Sequence, residues 1–328
     1  MSASPVRVLF MGTPDIAASV LGALIGGERV SVIGAVTQPD RQKGRGMRFS
    51  PPPVKELAVK NGIPVFQPET LKNGAFLADL EALDPDLIVV AAYGKILPPY
   101  LINYPRLGCV NAHASILPKY RGAAPINRAV MDGETETGVT AMYMDEGLDT
   151  GDIILTLRTP ISENDTAGDV HDRLAVLAGE AMLRTVDLIV SGAVTRTPQP
   201  SAGVSYAPKI TKEDAVIDFN LPAETVFNRI RGLSPYPGAI TTLPDGKTLK
   251  VTGARLAKSG AEGVPGTVVD TKGDAIRVAC SRGAVDLLTV TPEGRGRMDA
   301  ASFVRGRGIA EGNVLGLGIG TSDKEGSL

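Results

Sequence analysis

The sequence predicts an open, mostly parallel α/β sheet with helices on both faces, followed by a small OB-like β-barrel domain. Up to residue 193, runs of β-branched and other apolar residues alternate with helical segments, which is typical of a buried parallel sheet. After residue 209, short strands alternate with Pro-Asp-Gly, Gly-Asp and Pro-Glu-Gly turns, which is typical of a small antiparallel barrel. The chain has 328 residues, 43% of them hydrophobic, and is therefore long enough for two cores.

The first strand and its following turn begin the predicted sheet. The apolar run 6–11 predicts a strand that ends in Gly12, Thr13 and Pro14. We expect Thr13 to cap a helix whose first position is Pro14. The turn lacks the G-x-G-x-x-G spacing of a dinucleotide site, and no phosphate-binding loop follows it, so a helix-capping turn is favoured over a ligand contact. Nicotinamide and ATP chemistry therefore have no support in the sequence.

The remaining elements follow from the same patterns. In the first half, six further strands are predicted at 31–37, 64–67, 86–93, 108–113, 138–144 and 152–161, with helices at 53–61, 73–83, 123–131 and 166–192. In the second half, strands are predicted at 215–219, 239–243, 248–256, 266–270, 275–280 and 285–290, with one helix at 222–233. These elements predict an α/β domain at 1–193, a Pro/Ser/Thr-rich linker at 194–208, the barrel at 209–312 and a disordered glycine-rich tail at 313–328.

The charge distribution differs between the two halves. Residues 1–208 carry 18 Lys and Arg against 22 Asp and Glu, whereas residues 209–310 carry 15 against 11. A basic half on an acidic protein indicates a polyanionic partner, but an excess of four charges by itself favours an ordinary solvated surface. The only two cysteines, Cys109 and Cys280, are far apart in the sequence and predict buried free thiols rather than a disulfide or a zinc site.

The N-terminus and the hydropathy pattern bear on cellular location. The first residues have neither the apolar core of a signal peptide nor the Arg-rich pattern of a transit peptide. No apolar run is long enough to span a bilayer. We therefore expect a soluble cytoplasmic protein without a membrane partner.

Three polar residues indicate the chemistry. Asn111 and His113 lie two residues apart in the predicted strand CVNAH and so share one face, and Asp149 lies in a later loop. An amide that can bind an oxyanion, an imidazole that can move a proton and a carboxylate that can orient the imidazole suit acyl transfer to an amine. The alternative is a hydrogen-bonded strand end without catalytic function, and a single histidine on a strand would favour it.

Several motifs resemble those of the folate-dependent formyltransferases over nearly the whole chain. They read FMGTPDIA, TQPDRQKGRG followed by PPPVKELA, VVAAYGKILP, GCVNAHASILPKYRGAAPI and ETGVTAMYMDEGLDTGDII, with a weaker match at RGLSPYPGA. The N-x-H-x-SILPKYRG run with a downstream LDTGD is specific to this family. The basic insert after TQPD and the added C-terminal domain resemble the branch that acts on tRNA. Ala112 and Ala114 replace the more usual Val or Ile and Gly.

The resemblance implies a Rossmann-like formyltransferase domain and a reaction. A formyl group would pass from 10-formyltetrahydrofolate to the α-amine of initiator methionyl-tRNA, with Asn111, His113 and Asp149 as the catalytic residues. In the mechanism we expect, Asn111 and protonated His113 stabilise the oxyanion, and His113 passes a proton to the departing folate nitrogen. Asp149 would orient the imidazole and help to take up the proton that the amine releases.

The resemblance also implies where the folate binds. The loops 93–97 and 145–149 would form the slot for the pterin, and we expect both to follow the carboxyl ends of strands, where open α/β sheets bind ligands. Gly122 and the turn 118–125 would shape the entrance. The predicted folate-binding residues are Tyr93, Gly94, Lys95, Ile96, Leu97, Ser115, Leu117, Pro118, Asp145, Glu146 and Leu148. No protein-bound metal is predicted.

A basic loop is the predicted tRNA contact. Residues 41–48 hold four positive charges, and their composition alone favours a solvated flexible loop. Arg binds phosphates and unpaired bases well, and by resemblance this loop would contact the acceptor stem, with Arg45 as its main contact. The predicted tRNA-binding residues are Arg41, Lys43, Arg45 and Lys209. We expect the protein to be a monomer.

Two other functions compete with formylation of tRNA. A formyltransferase acting on a small amine, such as glycinamide ribotide or an amino sugar, would use the same catalytic residues but does not explain the basic insert and barrel. An RNA-binding protein with an inactive catalytic domain would keep the barrel but has no reason to retain all three catalytic residues.

Overall fold

The computed structural model describes residues 4–43, 48–258 and 263–316. Its strands are β1 (Val6–Gly12), β2 (Val30–Val36), β3 (Arg41–Lys43), β4 (Arg48–Ser50), β5 (Val65–Phe66), β6 (Leu87–Ala91), β7 (Cys109–His113), β8 (Glu136–Tyr143), β9 (Ile153–Pro160), β10 (Ala239–Thr242), β11 (Thr248–Leu256), β12 (Val268–Asp270), β13 (Ile276–Ala279), β14 (Ala284–Pro292) and β15 (Met298–Asp299). Its helices are α1 (Asp15–Ile25), α2 (Pro53–Lys60), α3 (Leu77–Leu83), α4 (Pro99–Ile102), α5 (Pro125–Met131), α6 (Ala167–Val190), α7 (Ala223–Gly232) and α8 (Ala300–Arg305).

The chain forms two compact units whose boundaries cross the sequence several times. The first unit consists of Met1–Pro125, Glu136–Pro160 and His171–Ala207. The second consists of Ile126–Thr135, Ile161–Val170 and Pro208–Leu328. Helices α5 and α6 are therefore divided between the units, whereas the sequence predicts one continuous domain at 1–193.

The first unit is built on a seven-stranded sheet in the order β5-β2-β1-β6-β7-β8-β9. The strands β5, β2, β1, β6 and β7 are mutually parallel. At the far edge, β8 pairs antiparallel with β7, and β9 pairs antiparallel with β8. Four consecutive residues of β1, from Val8 to Met11, are all fully buried. Because neighbouring strand residues point to opposite faces, both faces of the sheet are covered. The predicted mostly parallel α/β sheet is confirmed.

The second unit contains an antiparallel half-barrel. Its strands follow the order β10-β11-β14-β13-β12, and β15 pairs with β14. Helix α7 packs on β11 and β14 and contributes Phe227 and Ile230 to a core that also contains Val251 and Leu287. This sheet confirms the small antiparallel domain predicted from the turn-rich second half.

Three local predictions were wrong. Thr13 does not cap α1, because its hydroxyl donates to the carbonyl of Tyr93 instead, and the helix begins at Asp15. The helix predicted at 73–83 is interrupted, because Asn73 adopts φ +55° in a short 3₁₀ turn before α3 begins. The strand predicted at 215–219 makes only one bridge, between Val216 and Ile240, because the Asp218 carboxylate accepts the backbone N–H of Asn220 and starts a turn.

Residues in the predicted linker and at the start of the predicted tail pair with other parts of their own units. In the first unit, Thr197 bridges Ile153, and Tyr206 bridges Arg121. In the second unit, Val314 bridges Thr267, and the side chain of Leu315 is buried. Residues 317–328 lie outside the described residues. In the described parts of the chain, no helix is long and apolar enough to cross a membrane.

Candidate active site

The parallel strands β1, β2 and β6 end at one edge of the first unit, where a polar network joins them. The Thr13 hydroxyl donates to the carbonyl of Tyr93 (3.0 Å), and the buried Gln38 amide donates to the same oxygen (3.2 Å). The backbone N–H of Gln38 lies 3.4 Å from the Thr13 hydroxyl. The turn after β1 thus fixes the start of the loop 93–97. This structural role accounts for Thr13 and Gln38 without a ligand.

Asn111 and His113 lie on β7, beside β6, and share one face because they are two residues apart. His113 is 6% exposed, and Asn111 is half-buried. Within the described ranges, no hydrogen bond is made by the Asn111 side-chain amide. Its N–H groups are therefore available to a substrate oxygen at this face.

The orientation of the His113 ring is fixed by a backbone group. Its Nε2 lies 2.9 Å from the carbonyl oxygen of Tyr120. A carbonyl can only accept, so Nε2 carries the proton in this contact. The other nitrogen, Nδ1, faces the Asp149 carboxylate, whose Oδ2 is 3.6 Å away. The structure thus brings two of the three predicted catalytic side chains together, and Nδ1 is the nitrogen directed at the carboxylate.

Asp149 reaches this position by an indirect path. Both predicted folate-binding loops follow the carboxyl ends of strands, 93–97 after β6 and 145–149 after β8, but β8 runs antiparallel to β7. Because β8 is antiparallel, its last residue, Tyr143, pairs with Val110 rather than with His113. The loop after β8 therefore leaves the sheet at the level of Val110, and Asp149 must return to approach His113.

Hydrogen bonds fix the loop that carries Asp149. Asp149 Oδ2 accepts the backbone N–H of Gly122 at 2.8 Å. Asp149 also has φ +53°, a left-handed conformation that non-glycine residues adopt rarely. Asp145 accepts the N–H of Gly147 and the hydroxyl of Thr150. The Asp149 side chain is 15% exposed, so its charge lies in a partly desolvated site.

The predicted folate-binding residues after β6 have different environments. The side chains of Tyr93 and Leu97 are buried in the apolar core of the first unit, and burial raises the pKa of Tyr93 to about 12. Lys95 donates from its Nζ to the carbonyls of Pro68 (3.0 Å) and Glu69 (2.6 Å). Ile96 is 89% exposed, and Gly94 is also exposed. Among the side chains of this loop, Ile96 is therefore the most exposed, and Lys95 is half-buried.

The other predicted folate-binding residues fall into two groups. Ser115 is fully buried and donates to the carbonyl of Lys119 (2.7 Å), while Leu117 is buried and Pro118 is half-buried. In the second loop, the predicted folate-binding residues are exposed, and Leu148 is 57% exposed. That loop contains Asp145, Glu146 and Leu148.

The predicted tRNA-binding residues are only partly described. Arg41 and Lys43 lie in β3, which pairs with β4, and Arg41 is exposed. Arg45 and the side chain of Lys43 lie outside the described residues. Lys209 is exposed in the second unit.

Three residues that support the site gave no signal in the sequence. Gln199 donates from Nε2 to the carbonyls of Asp149 (2.8 Å) and Gly151 (2.9 Å). Arg121 donates to the Gln199 side chain, and Ser205 accepts the backbone N–H of Tyr120 at 2.9 Å. All three belong to the first unit. Gln199 and Ser205 lie in the predicted linker, and nothing in its composition indicated these contacts.

Two remaining expectations concern cysteines and metals. Cys109 and Cys280 are free and buried, as predicted, and burial raises the pKa of the Cys280 thiol to about 11. In the described ranges, no group of three or more His, Cys, Asp and Glu side chains could hold a metal ion.

Family profiles match both units. The formyl transferase profile matches residues 6–186, and the profile of the formyl transferase C-terminal domain matches residues 209–308. The chain therefore belongs to the formyl transferase family. Among its relatives, the methionyl-tRNA formyltransferase of Geotalea uraniireducens is 46% identical over 95% of this chain and 98% of its own length. Further proteins of that name are 45% to 48% identical over 94% to 95% of the chain.

Solved structures share the fold at lower identity. An N-formyltransferase from Helicobacter canadensis, in complex with folinic acid and dTDP-3-aminofucose, has a TM-score of 0.64 at 18% identity, covering 86% of this chain and 98% of its own. HypX from Aquifex aeolicus, in complex with tetrahydrofolic acid, has a TM-score of 0.62 at 18% identity over 92% of this chain. The chain spans 47% of that HypX chain, so about half of it has no counterpart here.

Proposed function

We propose that this protein transfers the formyl group of 10-formyltetrahydrofolate to the α-amine of methionine on initiator tRNA, which gives formylmethionyl-tRNA for translation initiation. The observation that carries the chemistry is the approach of His113 to Asp149 on the face of β7 that also presents the Asn111 amide. The acceptor is supported by the extent of the match to methionyl-tRNA formyltransferases, which includes both units of the chain.

The reaction needs one bond exchange and one net proton transfer. A bond forms between the amine nitrogen and the formyl carbon, the bond from that carbon to the folate nitrogen breaks, and one proton passes from the amine to the folate nitrogen. The Asn111 amide donates to the formyl oxygen as negative charge develops there. His113 Nδ1 takes up and releases the proton, and Asp149 stabilises the positive charge that the ring then carries.

The folate would bind between the two loops. The backbone of residues 93–97 offers N–H and carbonyl groups that can read the pterin edge, and the exposed side chains of Ile96 and Leu148 offer apolar surface for a flat ring. Ser115 and Leu117 are buried, and we propose that they act by shaping the slot. Lys95 already donates to two backbone carbonyls and would position its loop.

The tRNA would meet positive charge from both units. We propose contacts from Arg41, Lys43, Arg45 and Lys209, with phosphates as the main targets. The net excess of four positive charges in residues 209–310 supports a polyanionic partner for the second unit. We also propose domain boundaries at 193, 208 and 312 and a monomeric state. We propose a cytoplasmic location because charged initiator tRNA is a cytoplasmic substrate.

The first test is formyl transfer from 10-formyltetrahydrofolate to initiator tRNA charged with methionine. Parallel reactions would contain glycinamide ribotide or a nucleotide-linked amino sugar in place of the tRNA. We expect product only with the charged tRNA. Product only with a small amine would overturn the proposed acceptor while leaving the chemistry intact.

A second experiment separates catalysis from RNA binding. His113→Ala should abolish formyl transfer and leave the affinity for charged tRNA unchanged, because the side chain is 6% exposed at the base of the site. Wild-type transfer by this variant would contradict the catalytic role of His113. Tight tRNA binding by a wild-type protein that transfers no formyl group would support the inactive RNA-binding alternative instead.

A further inference from the structure

Gln199 uses its whole hydrogen-bonding capacity within the first unit. Its Nε2 donates to the carbonyls of Asp149 (2.8 Å) and Gly151 (2.9 Å). Its Oε1 accepts from Arg121 Nη2 (2.6 Å) and Nε (3.2 Å). A primary amide has two donor hydrogens and two acceptor lone pairs, so all four are used. The amide is therefore held in one orientation.

The loop held by Gln199 needs external support. It is an irregular segment in which Asp149 has φ +53°, and such a conformation persists only where neighbouring groups impose it. Gly151 is also constrained, since a Cβ there would lie 1.8 Å from the carbonyl oxygen of Tyr143. The two Gln199 contacts fall on either side of Thr150 and so fix the backbone from which the Asp149 carboxylate extends.

Residues 199–207, here named the brace segment, also contact the loop that orients His113. Ser205 accepts the Tyr120 N–H through its hydroxyl, and its carbonyl accepts the N–H of Arg121 at 2.9 Å. The N–H of Ala207 donates to the carbonyl of Arg121 at 2.7 Å. The carbonyl of Tyr120 in turn holds His113 Nε2. One segment therefore contacts both loops that place the His113 and Asp149 side chains.

We infer that Gln199 is a positioning residue for formyl transfer. It sets the Asp149 carboxylate against His113 Nδ1 and, through Arg121, joins the Asp149 loop to the loop that orients the imidazole. The kinetic part of this inference rests on the proposed function. Displacing a reacting group by about 1 Å can reduce a rate about 100-fold, so the effect of losing Gln199 should appear in kcat.

Two substitutions separate positioning from general stability. Gln199→Met keeps the length of the side chain but removes all four hydrogen bonds. Gln199→Glu keeps the acceptor for Arg121 but removes the N–H groups that hold the Asp149 loop. Thr197→Ala is the matched control, because Thr197 is exposed two residues earlier and pairs with Ile153 through its backbone.

We expect kcat to fall by about 10- to 100-fold in both Gln199 variants, with the KM for charged tRNA changed less than about threefold. Thr197→Ala should retain wild-type kcat. A kcat within twofold of wild type in folded Gln199→Glu would overturn the inference, because that side chain cannot donate to the two carbonyls. If Gln199→Met fails to fold, Gln199→Glu still tests the inference, because its carboxylate keeps the contact with Arg121 that helps the segment to fold.

Hydrogen exchange tests the same inference without a substrate. The N–H of Gly122 is protected by the Asp149 carboxylate, so it reports where that carboxylate lies. We expect it to exchange at least about tenfold faster in Gln199→Glu than in wild type, with no change in Thr197→Ala. Unchanged exchange would overturn the positioning role even if the wild-type protein formylated no tRNA, so this result does not depend on the proposed function.

Discussion

The carbonyl oxygen of Tyr120 lies 2.9 Å from His113 Nε2 and fixes the direction of the imidazole ring. Because this nitrogen donates to the carbonyl, only Nδ1 can exchange a proton with a substrate, and Asp149 Oδ2 lies 3.6 Å from it. That distance is longer than a hydrogen bond, as is common for catalytic pairs without substrate. A backbone carbonyl therefore holds Nε2, which leaves Nδ1 directed at Asp149.

Replacing Asp149 with Asn tests the charge beside His113. The amide keeps an oxygen that can accept the Gly122 N–H, but it cannot stabilise a protonated ring. Since acid–base groups contribute about 10²- to 10⁴-fold to a rate, we expect kcat to fall by at least about 100-fold. Steady-state kinetics with charged tRNA would measure it. Asp152→Asn, three residues later, serves as control, and equal activity in both variants would contradict the role of Asp149.

Replacing Asn111 with Ala tests the oxyanion contact. Removal of one oxyanion donor costs about 3 to 4 kcal/mol of transition-state stabilisation, or about 100- to 1,000-fold in kcat. The fold should be unaffected, because within the described residues the Asn111 amide has no hydrogen-bond partner to lose. The control is Asn103→Ala at the end of α4, which should retain activity. A loss confined to KM would show that Asn111 binds the substrate without acting on the transition state.

Replacing Gly122 with Ala tests the close approach at the turn beside His113. Gly122 has φ +120°, and a Cβ there would lie 2.8 Å from the carbonyl oxygen of Ala207. The strained backbone alone costs about 1 to 2 kcal/mol, and the clash should displace the N–H that holds Asp149. We expect lower thermal stability and lower kcat. Gly192→Ala, where φ is +70° and nothing lies within 4 Å, should lower stability alone.

Replacing Asp214 with Asn tests an ion pair in the second unit. Hydrogen bonds from Arg128 lower the pKa of Asp214 to about 2, against an unfolded value of 3.8. Since the folded pKa is depressed, the stabilisation is present above about pH 4 and decreases as the pH falls towards 2. It amounts to at most about 2 kcal/mol. Thermal unfolding should therefore separate wild type from variant clearly at pH 7 and by much less at pH 2, where about half of the folded protein still carries the ionised carboxylate. Asp218→Asn, which changes a turn contact, should alter stability by less than about 0.5 kcal/mol.

Local patterns in the sequence predicted most of the secondary structure, because apolar periodicity depends only on neighbouring residues. The run 6–11 and the segment 108–113 became strands β1 and β7 at nearly the predicted bounds. One failure occurred where a distant group competed for a side chain. Thr13 donates to Tyr93, 80 residues away, rather than capping its own helix.

The sequence by itself determined the chemical groups of the site: an amide and an imidazole two residues apart on β7, and a carboxylate in a later glycine-rich loop. The tertiary structure decided their geometry. The antiparallel direction of β8 made the Asp149 loop return towards His113. The Tyr120 carbonyl holds His113 Nε2 and leaves Nδ1 facing Asp149, while Gln199 donates to the carbonyls of Asp149 and Gly151. Sequence patterns could not supply this geometry, because the groups that impose it are mainly backbone carbonyls. Every residue carries a carbonyl, and only the packed fold decides which one meets a given donor.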